Sequence, residues 1–351
     1  MQAPCTSIAE YAEQAKKILA PEIWQYLDSG TAANRTRHQN EYAFDSIHLT
    51  PRPLADVRGG HTRIELFGKT LTHPFLIAPI AYQRLFHPTG EVGVAMAALA
   101  QQTTCIMSSL ASQPLSDITA TGANCWFQLY WQSSREASYR LLRNAEQSGA
   151  TAIVFTVDAP IKQSSLTLPH GISAVNLDSA PALPTINTTQ STVFDQWMTL
   201  APRWEDLVWL RSQTQLPLLV KGLLHIEDAQ RAIDAGCDGL IVSNHGGRVL
   251  DGTPSSLEVL QRFRTQLSPA IPLLFDSGIR SGSDAFKAIA LGATAVLIGR
   301  PIIWGLVQGP LGVAHVLRLL RDDLEMTMAL MGCASIASIS GSAIRTITLC
   351  H

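Results

Sequence analysis

The 351-residue sequence lacks a cluster of basic residues, since 26 Lys and Arg are offset by 28 Asp and Glu and the formal net charge is -2. Nucleic acids and anionic membrane surfaces attract concentrated positive charge, so we predict neither as a partner. No apolar run reaches the length of about 20 residues that a membrane-spanning helix needs, and residues 1–19 contain no apolar signal-peptide core. We therefore expect a cytoplasmic protein that binds a small neutral or anionic molecule.

The cysteines are scattered and include no C-x-x-C pair. Cysteine-based metal sites and redox disulfides need such close spacing, so we predict reduced thiols and no bound metal. The six residues are Cys5, Cys105, Cys125, Cys237, Cys333 and Cys350.

The sequence does have a strong alternation of two kinds of segment. From about residue 75 onward, short apolar or β-branched runs alternate with helix-length segments such as 90–102, 134–149 and 226–236, which is typical of βα units around a parallel sheet. Eight runs predict an α/β fold, a single (β/α)8 TIM barrel, with residues 1–351 as one domain. The runs are FLIAPI (75–80), TCIMSS (104–109), NCWFQLY (124–130), AIVFTV (152–157), PLLVK (217–221), GLIVS (239–243), PLLFD (272–276) and AVLIG (295–299).

Two segments depart from this repeat. Residues 1–70 indicate an N-terminal helical extension with a short extended flap, and residues 161–203 form a Ser-, Thr- and Pro-rich insertion after the fourth predicted strand. A connection of that length at the mouth of a barrel is typical of an active-site lid or of a disordered loop. We expect part of it to be mobile.

Polar and glycine residues follow the apolar runs, and the carboxyl ends of barrel strands all meet on one face. The loops D-S-G-I-R-S-G (276–282) and I-G-R-P (298–301) follow the seventh and eighth strands, the usual phosphate position in barrel enzymes. Glycine allows close backbone approach, and Arg280 and Arg300 can pair with a phosphate. The alternative is that these are ordinary turn glycines beside solvated arginines.

The segment SNHGGRVLD (243–251) places His245 and Arg248 on one glycine-rich loop after the sixth strand. Histidine can take a proton near neutral pH and arginine can bind a carboxylate with two hydrogen bonds, so the pair suits oxidation of a carboxylate-bearing alcohol. Asp158, at the end of the fourth strand, is a candidate partner for the imidazole. The alternatives are a structural histidine and an aspartate that caps a helix.

Several remaining strand-end residues suit an electron-rich ring. Lys221 ends a strand, where a buried ammonium needs an anionic or electron-rich partner such as a reduced flavin. Ser108, Gln128 and Thr156 can hydrogen-bond ring edges, although each taken singly is more often a satisfied strand-end polar group.

Together, SNHGGR, VKG (220–222), QLY (128–130), TVDAP (156–160), DSGIRSGSDAFKAIALGA and IGRP resemble the FMN-dependent 2-hydroxy acid oxidases and dehydrogenases, which include glycolate oxidase and lactate oxidase. The resemblance extends from YLDSG (26–30) to LMGCASIASI (330–339) in the family's order and spacing. It implies an enzyme that moves two electrons from an L-2-hydroxy acid to FMN and then to oxygen or another acceptor. It also implies a homo-oligomer, commonly a tetramer.

The resemblance also assigns roles to individual residues. His245 is implied as the catalytic base, Asp158 as the group that stabilises it when protonated, and Arg248 as the carboxylate clamp. Tyr26 and Tyr130 complete the substrate pocket, and Tyr130 belongs to the catalytic set. The residues implied to bind the cofactor are Ala78, Pro79, Ile80, Ala81, Ser108, Gln128 and Thr156 at the ring, Lys221 at its N1 edge, Ser243, Asp276 at the ribityl chain, and Gly278, Arg280, Gly299 and Arg300 at the phosphate.

The main departure from the family is Ser165, which stands where a second carboxylate-facing arginine is usual. Losing one charge-assisted contact weakens binding by about 1.5 to 3 kcal/mol unless the substrate differs or Lys162 substitutes. Leu110 stands in place of a bulky aromatic and Tyr82 in place of a methionine, so the pocket walls differ as well. Two alternatives follow: an FMN-dependent oxidase of a larger substrate, such as a biosynthetic intermediate or modified peptide, and a flavin- or phosphate-binding protein without turnover.

Overall fold

The computed structural model describes residues 5–160, 166–178 and 191–346. The chain begins with three helices and three short strands that precede the barrel. Ser7 caps the first helix by accepting a hydrogen bond from the Glu10 backbone N–H, and Pro21 occupies the first turn of the second, where no N–H donor is needed. These elements are α1 (Ile8–Ile18), α2 (Pro21–Asp28), α3 (Arg35–Asp45), β1 (Ile47–Leu49), β2 (Ile64–Leu66) and β3 (Lys69–Leu71).

The predicted (β/α)8 barrel is confirmed. Eight parallel strands close into a barrel in the order β10-β11-β4-β5-β6-β7-β8-β9. Nearly every residue of these strands is buried, because helices cover the outside and strand side chains fill the inside. The strands are β4 (Phe75–Ile77), β5 (Thr104–Ser108), β6 (Asn124–Leu129), β7 (Ile153–Thr156), β8 (Leu218–Lys221), β9 (Gly239–Val242), β10 (Leu273–Phe275) and β11 (Ala295–Ile298).

Each strand lies within its predicted apolar run, but several end earlier. The largest difference is in β4, which stops at Ile77 although the run continues to Ile80. Pro79 has no N–H to donate to a neighbouring strand, so the chain leaves the ladder there. Residues 78–81 are thereby free to form part of the barrel mouth.

Helices connect the strands, and a last short strand follows them. The predicted helical segments are confirmed as α4, α6 and α8. Among the described helices, none combines the length and apolarity needed to cross a bilayer. The elements are α4 (Gly90–Ala100), α5 (Leu115–Thr119), α6 (Arg135–Gln147), α7 (Trp204–Ser212), α8 (Ile226–Asp234), α9 (Ser256–Gln266), α10 (Gly282–Ala290), α11 (Arg300–Leu306), α12 (Pro310–Leu330) and β12 (Ile344–Thr346).

The N-terminal extension is attached to the barrel at several points. β1 pairs antiparallel with β12, with Ile47 opposite Thr346. Thr36, Asn40 and Phe44 recur every four residues on one face of α3 and are all buried, so that face contacts the barrel. The carbonyls at the end of α2 face the mouth, where they accept hydrogen bonds from two arginines.

The predicted lid, residues 161–203, is described only in part, because residues 161–165 and 179–190 lie outside the described ranges. The Val175 N–H donates to Ala111 O, and the Leu115 N–H donates to Asn176 Oδ1 at 2.9 Å. These bonds attach residues 175–176 to the loop after β5. Thr192–Trp197 forms a turn of π-helix.

The described cysteines, Cys5, Cys105, Cys125, Cys237 and Cys333, are buried free thiols. Cys350 lies outside the described residues.

Candidate active site

The polar residues predicted at the strand ends meet at the carboxyl end of the barrel. Lys221, at the end of β8, is buried, and its Nζ lies 2.9 Å from Asp276 Oδ2 and donates to Ser243 Oγ at 2.6 Å. A buried ammonium is stable only when it is paired. The three residues follow three adjacent strands, so barrel closure itself forms this charged cluster.

His245 and Asp158, which are 87 residues apart in sequence, meet at the mouth. His245 Nδ1 lies 2.9 Å from Asp158 Oδ1, and the two side chains are 20% and 13% exposed. With Nδ1 as the donor, Nε2 carries the lone pair. Nε2 lies 3.4 Å from the Tyr130 hydroxyl, whose pKa is raised well above its usual value by burial and by the nearby Asp158.

The turn that carries His245 has an unusual backbone. His245, Gly246 and Gly247 have φ values of 59°, 64° and 74°, in the left-handed region that a non-glycine residue seldom adopts. A Cβ on Gly247 would lie 2.5 Å from the Arg37 backbone nitrogen, so α3 packs directly on the turn. The same close packing occurs at Gly222, where a Cβ would lie 2.5 Å from Asp158 Cγ.

Arg248, at the end of this turn, meets Tyr26 from the N-terminal extension. Its Nη1 donates to the backbone oxygens of Tyr26, Leu27 and Ser29 at 2.7, 3.3 and 2.9 Å, and its guanidinium lies 5.1 Å from the Tyr26 ring centroid. Burial raises the pKa of Tyr26, and Arg248 partly opposes that shift. Within the described part of the chain these hydrogen bonds all come from Nη1, so the Nη2 and Nε groups have the geometry to bind a carboxylate.

The two predicted phosphate arginines lie side by side. Arg300 bonds the carbonyls of Leu27, Ser29 and Gly246, and Arg280 pairs with Glu41 at 2.7 Å. Burial lowers the pKa of Arg300 to about 9, and repulsion from Arg280, Arg248 and Arg37 adds to the shift. Such an excess of partly buried positive charge is stabilised by an added anion, and a phosphate is one.

The residues at the centre of the mouth fit a flavin. Gln128 Nε2 and Thr156 Oγ1 are buried and have no hydrogen-bond partner within the described part of the chain. Buried polar groups are normally satisfied, so these two atoms indicate a missing polar partner. Gln128 Oε1 accepts from Ser108 Oγ at 3.0 Å, which holds the amide in place. Residues 78–81 follow β4 at the same end of the barrel.

An apolar wall adjoins the His245 imidazole. Leu110, Tyr130 and Ala159 form a small buried cluster of their own, separate from the barrel core. Partly buried apolar residues pack against it, namely Ala81, Tyr82, Ala174 and Leu177. Both pocket departures from the family, Leu110 and Tyr82, therefore lie in this wall. Ser165 and Lys162 are outside the described residues.

Two buried polar residues that support the mouth were not predicted from the sequence. The carboxylate of Glu91, in α4, accepts hydrogen bonds from the backbone N–H groups of Gln83 and Ser112, so it connects the loops after β4 and β5. Asn40, in α3, hydrogen-bonds Asn244 beside the turn that carries His245. In the sequence, Asn40 could be recognised as a polar residue four positions before Phe44, on the face of α3 that packs against the barrel.

Comparison with known proteins agrees, along nearly the whole chain, with the family resemblance seen in the sequence motifs. Residues 15–346 match the family model for FMN-dependent dehydrogenases. L-lactate oxidase from Roseobacter sp. is 44% identical over 95% of this chain and 93% of its own, and L-lactate oxidase from Alicycliphilus denitrificans is 47% identical over 94% of each. A crystal structure of mandelate oxidase with benzoyl-formic acid is 37% identical, covers 98% of this chain and 99% of that one, and superposes with a TM-score of 0.89.

Proposed function

Since the chain belongs to the family of FMN-dependent dehydrogenases and is an FMN-dependent 2-hydroxy acid oxidoreductase, we propose that its substrate is an L-2-hydroxy acid with an apolar side chain larger than a methyl group. The observation that carries this proposal is the arrangement around His245. His245 and Arg248 share one turn, Asp158 pairs with the imidazole, and the apolar wall of Leu110, Tyr130 and Ala159 adjoins them. The solved relative with benzoyl-formic acid supports a pocket of this size.

Arg248 anchors the substrate in this proposal. Its Nη2 and Nε groups bind the carboxylate, and Tyr26 and Tyr130 close the pocket around it. The substrate side chain then packs on the apolar wall that contains Leu110 and Tyr82. With Nη1 fixed by the α2 carbonyls, the guanidinium is oriented before the substrate arrives, which lowers the entropic cost of binding.

His245 acts as the base. Its Nε2 takes a proton from the carbinol group, and Asp158, held at Nδ1, stabilises the imidazolium that forms. FMN, when bound, would supply the acceptor for the two electrons that the alcohol loses on becoming a 2-oxo acid. The 2-oxo acid product leaves, and the electrons pass to oxygen or another acceptor.

The fit of the polar groups supports one arrangement for FMN. The two arginines of the phosphate loops, with Gly278 and Gly299, would hold the phosphate, and Asp276 would bind the ribityl chain. Lys221 and Ser243 would lie at the N1 edge. The ring edges would meet Ala78, Pro79, Ile80, Ala81, Ser108, Gln128 and Thr156, including the two atoms that have no described partner.

The test is anaerobic reduction of the bound flavin. The purified protein is mixed with L-lactate, L-mandelate and 2-hydroxyoctanoate, and bleaching of the visible spectrum gives a rate for each. We expect L-mandelate and the longer acid to bleach the flavin faster than L-lactate, and D-mandelate, the stereochemical control, to react slowest. Bound FMN that none of the L-acids bleaches would refute the proposal and favour a protein without turnover.

An uncharged analogue separates the proposal from the alternative based on Ser165. Mandelamide has the same phenyl group and hydroxyl as mandelate but no carboxylate. If Arg248 clamps a carboxylate, mandelamide should react at least about tenfold more slowly at low concentration, which corresponds to a charge-assisted hydrogen bond of about 1.5 kcal/mol. Equal rates would favour a larger, less acidic substrate.

We also propose that the protein forms a homotetramer, as the family resemblance implies, and that it is cytoplasmic, as its scattered cysteines indicate. Sedimentation analysis should then give about four times the 38.0 kDa of one chain.

A further inference from the structure

Asn40 and Asn244 form a buried, reciprocal pair of side-chain amides. Asn40 Nδ2 donates to Asn244 Oδ1 at 2.8 Å, and Asn244 Nδ2 donates to Asn40 Oδ1 at 2.7 Å. The two residues are only 2% and 5% exposed. Asn40 comes from α3 in the N-terminal extension, whereas Asn244 immediately precedes His245, so the pair joins the extension to the proposed catalytic turn.

Further hydrogen bonds fix the orientation of both amides. Asn40 Oδ1 also accepts from the Ser256 N–H at 3.2 Å, and Asn244 Nδ2 also donates to Pro254 O at 3.1 Å. The Asn244 backbone N–H donates to Ser256 Oγ at 3.0 Å. An amide with this many defined partners has one orientation only. The pair therefore fixes the position of Asn244 relative to α3.

Asn244 in turn holds the backbone of the turn that follows it. Its Oδ1, the acceptor for Asn40, also accepts the Gly247 N–H at 3.3 Å. The turn between them carries three consecutive residues with positive φ, a conformation that persists only where the surroundings enforce it. The position of His245 within this turn therefore depends on Asn244 being held in place.

The two ends of the turn are held by different helices. Arg248, at one end, is fixed by the carbonyls at the end of α2. At the other end, Asn244 is the residue that α3 holds through Asn40. Loss of Asn40 would therefore displace the imidazole more than the guanidinium.

We propose that Asn40 is a positioning residue that acts through Asn244 to hold the His245 imidazole in its reactive place, so that it controls the rate of the chemical step rather than substrate binding. This inference rests on the proposed function of His245 as the base. It makes the N-terminal extension a part of the catalytic machinery in addition to a cover over the mouth.

The test uses Asn40→Ala and the isosteric Asn40→Asp. Asn40→Asp keeps the acceptor for Asn244 and Ser256 but sets a second oxygen against Asn244 Oδ1 and adds buried negative charge, so its effect should be at least as large as that of Asn40→Ala. Two controls accompany them: Gln39→Ala, at an exposed neighbouring position on α3, and Ile47→Ala, which removes buried atoms in β1 away from the turn. Ile47→Ala lowers stability without touching the amide pair.

The readout is the rate constant of anaerobic flavin bleaching in FMN-loaded protein, measured over a range of substrate concentrations. Partial unfolding reduces the amplitude of bleaching but not its rate constant, so a general loss of stability is recognised. For Asn40→Ala we expect a rate constant at saturation that is at least ~10-fold lower, because displacement of a reacting group by about 1 Å can slow a reaction ~100-fold. The apparent substrate affinity should change by less than about threefold, since α2 still holds Arg248.

Hydrogen–deuterium exchange of residues 244–248 gives a second readout that does not depend on turnover. We expect faster exchange at Gly247 in Asn40→Ala and unchanged exchange in Ile47→Ala. If wild-type protein fails to bleach with any 2-hydroxy acid, the proposed function is wrong, and exchange alone then decides whether Asn40 orders the turn. A wild-type rate constant together with unchanged exchange in Asn40→Ala would overturn the inference.

Discussion

The effect of Asp158→Asn is the sharpest test of the proposed base. Asparagine has the shape of aspartate but no charge, so it fits beside Gly222, where little space is left, and the fold should be preserved. What it loses is the carboxylate 2.9 Å from His245 Nδ1. The imidazolium that forms when His245 takes a proton then has no counter-charge, and only the rate of that step should fall.

The expected size follows from the geometry of the pair. A hydrogen bond to a charged group contributes about 1.5 to 3 kcal/mol. Two unit charges about 4 Å apart attract by about 4 kcal/mol at the effective dielectric constant of a partly buried site. This value is the upper limit for the contribution of Asp158. Because about 1.4 kcal/mol corresponds to a factor of ten, the rate constant of flavin reduction should fall ~10- to ~1000-fold, and about 100-fold is the central expectation.

The assay is anaerobic stopped-flow reduction with a saturating 2-hydroxy acid, in which each variant is normalised to its bound flavin. Asp178→Asn is the matched control, because that carboxylate pairs with Arg140 at 2.8 Å on the surface with 56% of its side chain exposed. Exposed pairs contribute little, so the control should react at the wild-type rate. If Asp158→Asn reduced its flavin within about threefold of wild type, Asp158 would not stabilise the base and the assigned mechanism would be wrong.

Four further predictions concern other parts of the site. Tyr130→Phe should weaken substrate binding by about 1 kcal/mol, seen as a severalfold higher KM, and an unchanged KM would remove its hydroxyl from the substrate site. Gly222→Ala should slow flavin reduction strongly, because its Cβ would displace Asp158. Gly171→Ala is the control, since Gly171 has a similar φ and no described atom within 4 Å of an added Cβ, and equal rates in the two variants would contradict the packing seen at Gly222. Leu110→Trp should lower the rate for mandelate relative to lactate at least about tenfold by filling the apolar wall, and an unchanged ratio would place the substrate side chain elsewhere. Adding FMN to flavin-free protein should raise Tm by several degrees more than riboflavin does, because only FMN carries the phosphate for the partly buried Arg280 and Arg300, and equal shifts would refute the phosphate assignment.

The barrel could be predicted from the sequence because its strands are buried on both faces and appear as uninterrupted apolar runs. Barrel closure then brings distant strand ends together, so Asp158 and His245 could be paired in advance although 87 residues separate them. The same rule placed Lys221 near Ser243 and Asp276 at the mouth.

The contacts of the N-terminal extension could not be predicted in this way. They follow no period: the carbonyls of α2 accept from Arg248, β1 pairs with β12, and Asn40 meets Asn244. Such contacts depend on how an irregular segment lies over the barrel, and a lone buried asparagine gives little local sign of its partner. The role of Ser165 stays a prediction, because this residue lies outside the described part of the chain.

The docking of α3 also depends on residues that are synthesised much later than α3 itself. Asn244, the partner of Asn40, is synthesised 204 residues after it. Lys287, which donates to the Phe44 carbonyl, is synthesised 243 residues after Phe44. At roughly 5 to 20 residues per second, a ribosome needs about 10 to 50 s to supply these partners. α3 thus gains these contacts only after most of the barrel has been made. A nascent chain can therefore begin to assemble its sheet well before the turn that carries His245 is ordered.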